Sequence, residues 1–106
     1  MFVRLVSLWL TIFPMAYYSI QNIPLTDLAK DFGTPLYVYD ADKIREKISV
    51  LREAFTGIDL TIKYAAKANT NLSILRLMWA NGVDMDVVSP QELEMGLIAG
   101  YEGSNI

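Results

Sequence analysis

Short strands alternating with helices predict an α/β fold built from parallel βαβ units. Two observations carry that expectation. Leu60, Ile62, Tyr64 and Ala66 alternate with Thr61, Lys63, Ala65 and Lys67, a period-two pattern that reads as a strand. On either side lie stretches with apolar residues at helical spacing, each closed by a glycine and separated from the strands by short loops.

The elements follow in order. Leu25, Leu28, Ala29 and Phe32 share one helical face, with Pro24 or Thr26 at the start and Gly33 as the stop. Thr34-Pro35 enforces an extended backbone, and Leu36-Tyr37-Val38-Tyr39 reads as a strand of aromatic and branched residues. Asp40 or Asp42 caps the next helix, whose Ile44, Ile48, Leu51 and Phe55 form an apolar stripe ended by Gly57. After the strand that leads to Lys67, Asn71 caps a helix from about Leu72 to Ala80, closed by Asn81-Gly82. Met78 and Trp79 sit at helical offsets from Leu72 and Leu75, as core residues do. Val83 to Val88 is another strand, and Pro90 to Ala99 a last helix stopped by Gly100.

Composition narrows the function. A chain of 106 residues is one domain at most. Its net charge of −3, with nine basic residues scattered singly, offers no footprint for nucleic acid. No cysteine is present, which removes disulfides and thiolate nucleophiles and fits a reducing, cytoplasmic setting. With no histidine either, no metal site is expected. No repeat or low-complexity tract appears.

Residues 1–23 read as an apolar leader, uncharged from Leu5 to Thr26 behind a single early Arg4. Three origins compete. A signal peptide has the basic start and apolar core, but Pro14-Met15-Ala16 before Tyr17-Tyr18 is a poor cleavage site. A membrane anchor is not favoured, because Pro14, Ser19, Gln21 and Asn22 interrupt the run short of the ~20 apolar residues a span needs. The third origin is a mis-assigned start, with Met15 as the natural one. Residues 24–106 form the domain proper.

Lys67 ends its strand beside the small Ala65, and Ala68-Asn69 turns the chain at once. An amine at the C-terminal mouth of a strand, with room beside it, suits a Schiff base to a carbonyl cofactor. A surface lysine that merely ends a strand has the same local pattern. Asp84 and Asp86 share a face of the Val83–Val88 strand, leaving two charges to explain. Asp84 reads as a solvated or salt-bridged group. Ser89-Pro90-Gln91-Glu92 is a capping box with proline at the first helical position, which gives Glu92 a structural role. Asn69 is placed to fix the loop that presents Lys67, and Tyr64 is a core residue.

Three blocks carry a family resemblance: Gly33-Thr34-Pro35-Leu36-Tyr37-Val38-Tyr39-Asp40, Tyr64-Ala65-Ala66-Lys67-Ala68-Asn69-Thr70-Asn71, and Asp86-Val87-Val88-Ser89-Pro90-Gln91-Glu92-Leu93. In this order and spacing, from about Leu25 to Ile106, the chain resembles the diaminopimelate decarboxylases. These are pyridoxal 5'-phosphate (PLP) enzymes of the alanine-racemase-like class. The resemblance implies the N-terminal portion of a PLP-binding (β/α)8 TIM-type barrel, incomplete here, with residues 36–39 crossing into a second β domain. It implies PLP-dependent decarboxylation of meso-2,6-diaminopimelate to L-lysine, with ornithine, arginine or carboxynorspermidine as alternative substrates. A non-catalytic PLP-binding barrel or a gene remnant are the readings outside catalysis.

Carried over residue by residue, Lys67 is the Schiff-base lysine and Asp86 orients its amine. Lys67 and Asp86 make the catalytic pair; Lys67, Ala65, Asp86 and Glu92 make the cofactor-binding set. PLP acts as an electron sink, and its phosphate and pyridine contacts lie further along in the family. The fragment alone is therefore expected to be inactive. The expected partner is a small-molecule amino-acid substrate, and the full-length protein is expected to be a homodimer.

Overall fold

The computed structural model describes residues 18–106; expectations for the leader up to residue 17 lie outside the described residues. The described residues fall into two compact units, which divide between Lys43 and Ile44. In the first unit, β1 (Ser19–Ile20) pairs antiparallel with β2 (Ile23–Pro24). Gln21 and Asn22 between them both have positive φ, as a two-residue type I′ hairpin requires. Residues 18–23, expected to belong to the leader, thus make the hairpin that leads into α1 (Leu25–Phe32), and the Leu25 amide donates back to the Tyr18 carbonyl.

Residues 36–39, expected to form a strand of a second β domain, pair with no strand among the described residues. A strand needs a partner for its backbone groups, and here Tyr37 is 89% exposed. Helix α2 (Ala41–Ala54) follows. Of its two proposed caps, Asp40 is the one used: its carboxylate accepts from the Asp42 and Lys43 amides at 2.9 and 3.3 Å. The Gln21 amide side chain also donates to it, and these bonds hold the carboxyl below its ordinary range.

The second unit contains one βαβ unit and the helix after it. Strand β3 (Lys63–Ala65) pairs in parallel with β4 (Asp84–Asp86), with Lys63 opposite Asp84, Tyr64 opposite Met85 and Ala65 opposite Asp86. Helix α3 (Leu72–Ala80) connects them, and α4 (Pro90–Ala99) follows β4. The parallel α/β expectation holds. Both helices end alike. The Gly82 amide bonds the Trp79 carbonyl and the Val83 amide that of Met78; the Gly100 amide bonds Leu97 and the Tyr101 amide Gly96. That is the Schellman pattern, and Gly82 and Gly100 supply the positive φ it requires (65° and 108°). Each motif then buries the residue after its glycine, Val83 or Tyr101. The α3 end has a second support: the Arg52 guanidinium donates to the Asn81 and Gly82 carbonyls.

The core lies on the helix side of the strand pair. Leu75 and Met85 are fully buried with Ala66, Ala99 and Tyr101, and Tyr64, Leu72, Trp79 and Met95 pack around them. Burying a side chain of this size contributes about 1.5–3 kcal/mol. Tyr64 and Met85 therefore point to the helices. By strand alternation Lys63, Ala65, Asp84 and Asp86 share the opposite face.

Candidate active site

The site is assembled where β3 and β4 end. Ala65, the last residue of β3, is half-buried and lies opposite the exposed Asp86, the last residue of β4. Lys67 is not a strand residue, which corrects the period-two reading. Ala66–Ala68 is a single turn of 3₁₀-helix, closed when the Asn69 amide donates to the Ala66 carbonyl at 3.1 Å. The alternation stops because Ala66 is drawn into the core, 0% exposed. Lys67 is then carried on a turn outside the core, with its side chain exposed.

Several bonds fix that turn. The Tyr64 hydroxyl donates to the Asn69 carbonyl at 3.0 Å, and the Asn69 side chain accepts from the Asn71 amide at 2.8 Å. Asn71 in turn accepts from the Ser73 amide at 2.9 Å and caps α3. An unbroken series of bonds therefore runs from the strand before Lys67 to the helix after it. The pattern of residues indicated the parts played by Asn69 and Asn71. It did not show that Tyr64, besides packing in the core, spends its hydroxyl on the lysine turn.

The carboxylate and amine groups of the two strand ends and the turn after β3 are not equivalent. Lys63 Nζ lies 3.6 Å from Asp84 Oδ2, and Asp84 Oδ1 accepts from the Asn105 side-chain amide at 3.0 Å. Lys67 and Asp86, by contrast, make no ion pair or side-chain hydrogen bond among the described residues. Glu92 is engaged elsewhere. Its amide donates to Ser89 Oγ at 3.2 Å, and its carboxylate accepts from the Val88 amide at 2.8 Å. The cap is present, though the carboxylate reaches one residue further back than Ser89. Glu92 thus braces the loop that follows Asp86 and makes no bond to Lys67 among the described residues.

This arrangement offers an exposed amine on the turn after β3 and an exposed carboxylate at the end of the adjacent parallel β4, each without a competing partner among the described residues. Such an amine can add to a carbonyl, and the carboxylate can hold or move a proton nearby. The family model described as "Pyridoxal-dependent decarboxylase, pyridoxal binding domain" matches residues 41–106. The chain belongs to this family. Among curated relatives, the diaminopimelate decarboxylase of Streptomyces coelicolor is 49% identical over 73% of this chain and 16% of its own length. That of Methanothermobacter thermautotrophicus is 43% identical over 76% of the chain and 19% of its own. That of Bacillus subtilis is 38% identical over 85% and 21%. The chain spans about a fifth of the length of the curated relatives it matches.

As a pyridoxal-dependent decarboxylase domain, the second unit is the α/β part of an incomplete barrel, with its helices against one face of the strand pair. The residues present suit the aldehyde end of the family's cofactor. Lys67 supplies an accessible amine, and Ala65 beside it projects only a methyl group. No helix among the described residues is long and apolar enough to cross a membrane.

Proposed function

We propose that this chain supplies the lysine-bearing face of a PLP-dependent decarboxylase that converts meso-2,6-diaminopimelate to L-lysine. The observation that carries the reading is an uncommitted amine, Lys67, on the turn directly after β3, and an uncommitted carboxylate, Asp86, at the end of the neighbouring β4. The names of the relatives support the substrate.

When bound, PLP supplies the electron sink that stabilises the charge left as carbon dioxide departs. Attachment, orientation and proton handling fall to the chain's own residues. Lys67 Nζ is the attachment point, held at the strand mouth by the turn that Tyr64 and Asn69 fix. Asp86 orients that amine and holds or accepts a proton at it. Ala65 keeps the space beside the amine clear for the cofactor. Glu92 supports the set through the Val88 amide, in the loop directly after Asp86.

The active protein is then a homodimer longer than this segment, working in the cytoplasm on a free amino acid. The absence of cysteine and the exposed apolar Leu93, Leu97 and Ile98 on α4 support this reading. The chain alone, with the amine and carboxylate but only a fraction of the barrel, is proposed to be catalytically incompetent.

Borohydride reduction tests the site. After incubation with PLP, reduction and peptide mapping should recover the label on Lys67. Label found mainly on Lys63 or Lys30 would remove the basis of the assignment.

A further inference from the structure

Two lysines, not one, lie in β3 or on the turn directly after it, and the structure treats them differently. Lys63 is matched with Asp84 across the ladder, two residues before the Ala65–Asp86 match. Its Nζ lies 3.6 Å from Asp84 Oδ2, while Asn105 donates to Asp84 Oδ1 at 3.0 Å. Both oxygens of Asp84 are therefore occupied. Its side chain is only 19% exposed, against 48% for Lys63.

Without these contacts the face would be ambiguous. Two amines and two carboxylates in and just beyond one strand pair allow several pairings, and either amine can condense with an aldehyde. We propose that Asp84, held by Asn105, is a positioning residue that tethers Lys63 and so directs pyridoxal to Lys67 while leaving Asp86 free. The proposal rests on the Lys67 reading above and adds how the wrong lysine is avoided.

The physical reason is a difference in what each amine gives up. In condensation the lysine nitrogen adds to the aldehyde carbon, and the aldehyde oxygen leaves as water with both amine hydrogens. At Lys63 this means withdrawing the cation from Asp84, leaving a largely buried carboxylate without its charge partner. At Lys67 no ion pair is lost among the described residues. A partly exposed pair is a modest device, so the bias it sets is about fivefold.

The experiment reads the partition of label between the two lysines, which needs no turnover. The full chain is incubated with PLP and reduced with borohydride, which adds hydride across the carbon–nitrogen double bond; peptides are then mapped. In the unaltered chain the label should favour Lys67. In Asp84→Asn the Lys63:Lys67 ratio should rise about fivefold, and Asp84→Glu should restore most of the original preference. Because the asparagine variant could misfold, the unaltered chain is also labelled across increasing salt, which screens the pair and should raise the same ratio. A ratio unmoved by salt and by any folded Asp84→Asn protein overturns the tether while leaving Lys67 in place. Label falling mainly on Lys63 in the unaltered chain at low salt overturns both the tether and the Lys67 assignment.

Discussion

Tyr64 and Asn69 bracket Lys67: the phenol hydroxyl before it donates to the backbone carbonyl after it at 3.0 Å. One side chain thus spans the turn on which the lysine is presented. The ring is packed against the buried cluster, so the bond is anchored on rigid structure. Tyr64→Phe keeps the ring and deletes the donor. Stability should fall by about 1 kcal/mol, the usual size of such a bond. The yield of PLP label on Lys67 should fall with it, and mass spectrometry of the reduced chain measures that directly. Full stability and full labelling would show that the turn holds without Tyr64.

Gly96 sits where α4 crosses the sheet. A Cβ built there would lie 2.6 Å from Met85 Sδ and 3.3 Å from Ile106 Cδ1. Met85 is a flexible side chain, but it is fully buried and has little space into which to retreat. Gly96→Ala gains helix propensity, worth up to about 1 kcal/mol, and loses more to overpacking, typically about 1–3 kcal/mol. The expected outcome in chemical denaturation is a net loss of stability. Gly96→Ala combined with Met85→Ala should recover part of the overpacking loss, since the contact is then removed.

Tyr101 is 3% exposed, and its hydroxyl has no hydrogen-bond partner among the described residues. Burial first, then the negative charge of Asp84, pushes its phenol up from 10.0 to about 12. A folded-state value above the unfolded one means the neutral phenol favours the fold. Its contribution is complete below pH 10 and is lost as pH rises towards about 12. Tyr101→Phe should remove this part of the alkaline sensitivity. The difference in melting temperature between the two proteins should be flat below pH 10 and move in favour of the phenylalanine variant above it. Near neutral pH the variant should be as stable or slightly more so, since it no longer buries an unsatisfied hydroxyl.

Much of the fold was legible in local chemistry. Asn71, Ser89, Gly82 and Gly100 have few conformational uses, and each appears in the cap or stop its type suggests. The parallel pairing followed from strand and helix alternation. Long-range pairings were not legible. Nothing local in residues 36–39 says whether a partner strand is available, and period-two alternation could not show Ala66 turning into the core. The site divides likewise. The Lys67 block was visible as a motif, but the Lys63–Asp84 pair and its Asn105 support join residues 21 positions apart, across a ladder whose register only the fold sets.

Asp86 and Glu92 are six residues apart on the same strand-to-helix segment, yet their surroundings differ. Asp86 is exposed and its carboxylate is bonded to nothing among the described residues, whereas Glu92 accepts from the Val88 amide at 2.8 Å. In the longer enzyme proposed above, Asp86→Asn should leave the melting temperature nearly unchanged and lower turnover, because the carboxylate it removes holds no structural bond. Glu92→Gln retains an acceptor for the Val88 amide and should be mild in both measures. Glu92→Ala leaves that amide without its partner and should cost about 1 kcal/mol of stability, as lost caps do. The decisive comparison is kcat at equal stability for Asp86→Asn and Glu92→Gln. If the glutamine variant loses as much turnover as the asparagine one while melting normally, Glu92 does more than brace the loop. The loop must then bring both carboxylates to Lys67 in the complete barrel, and the Val88 bond must be exchanged for one at the amine.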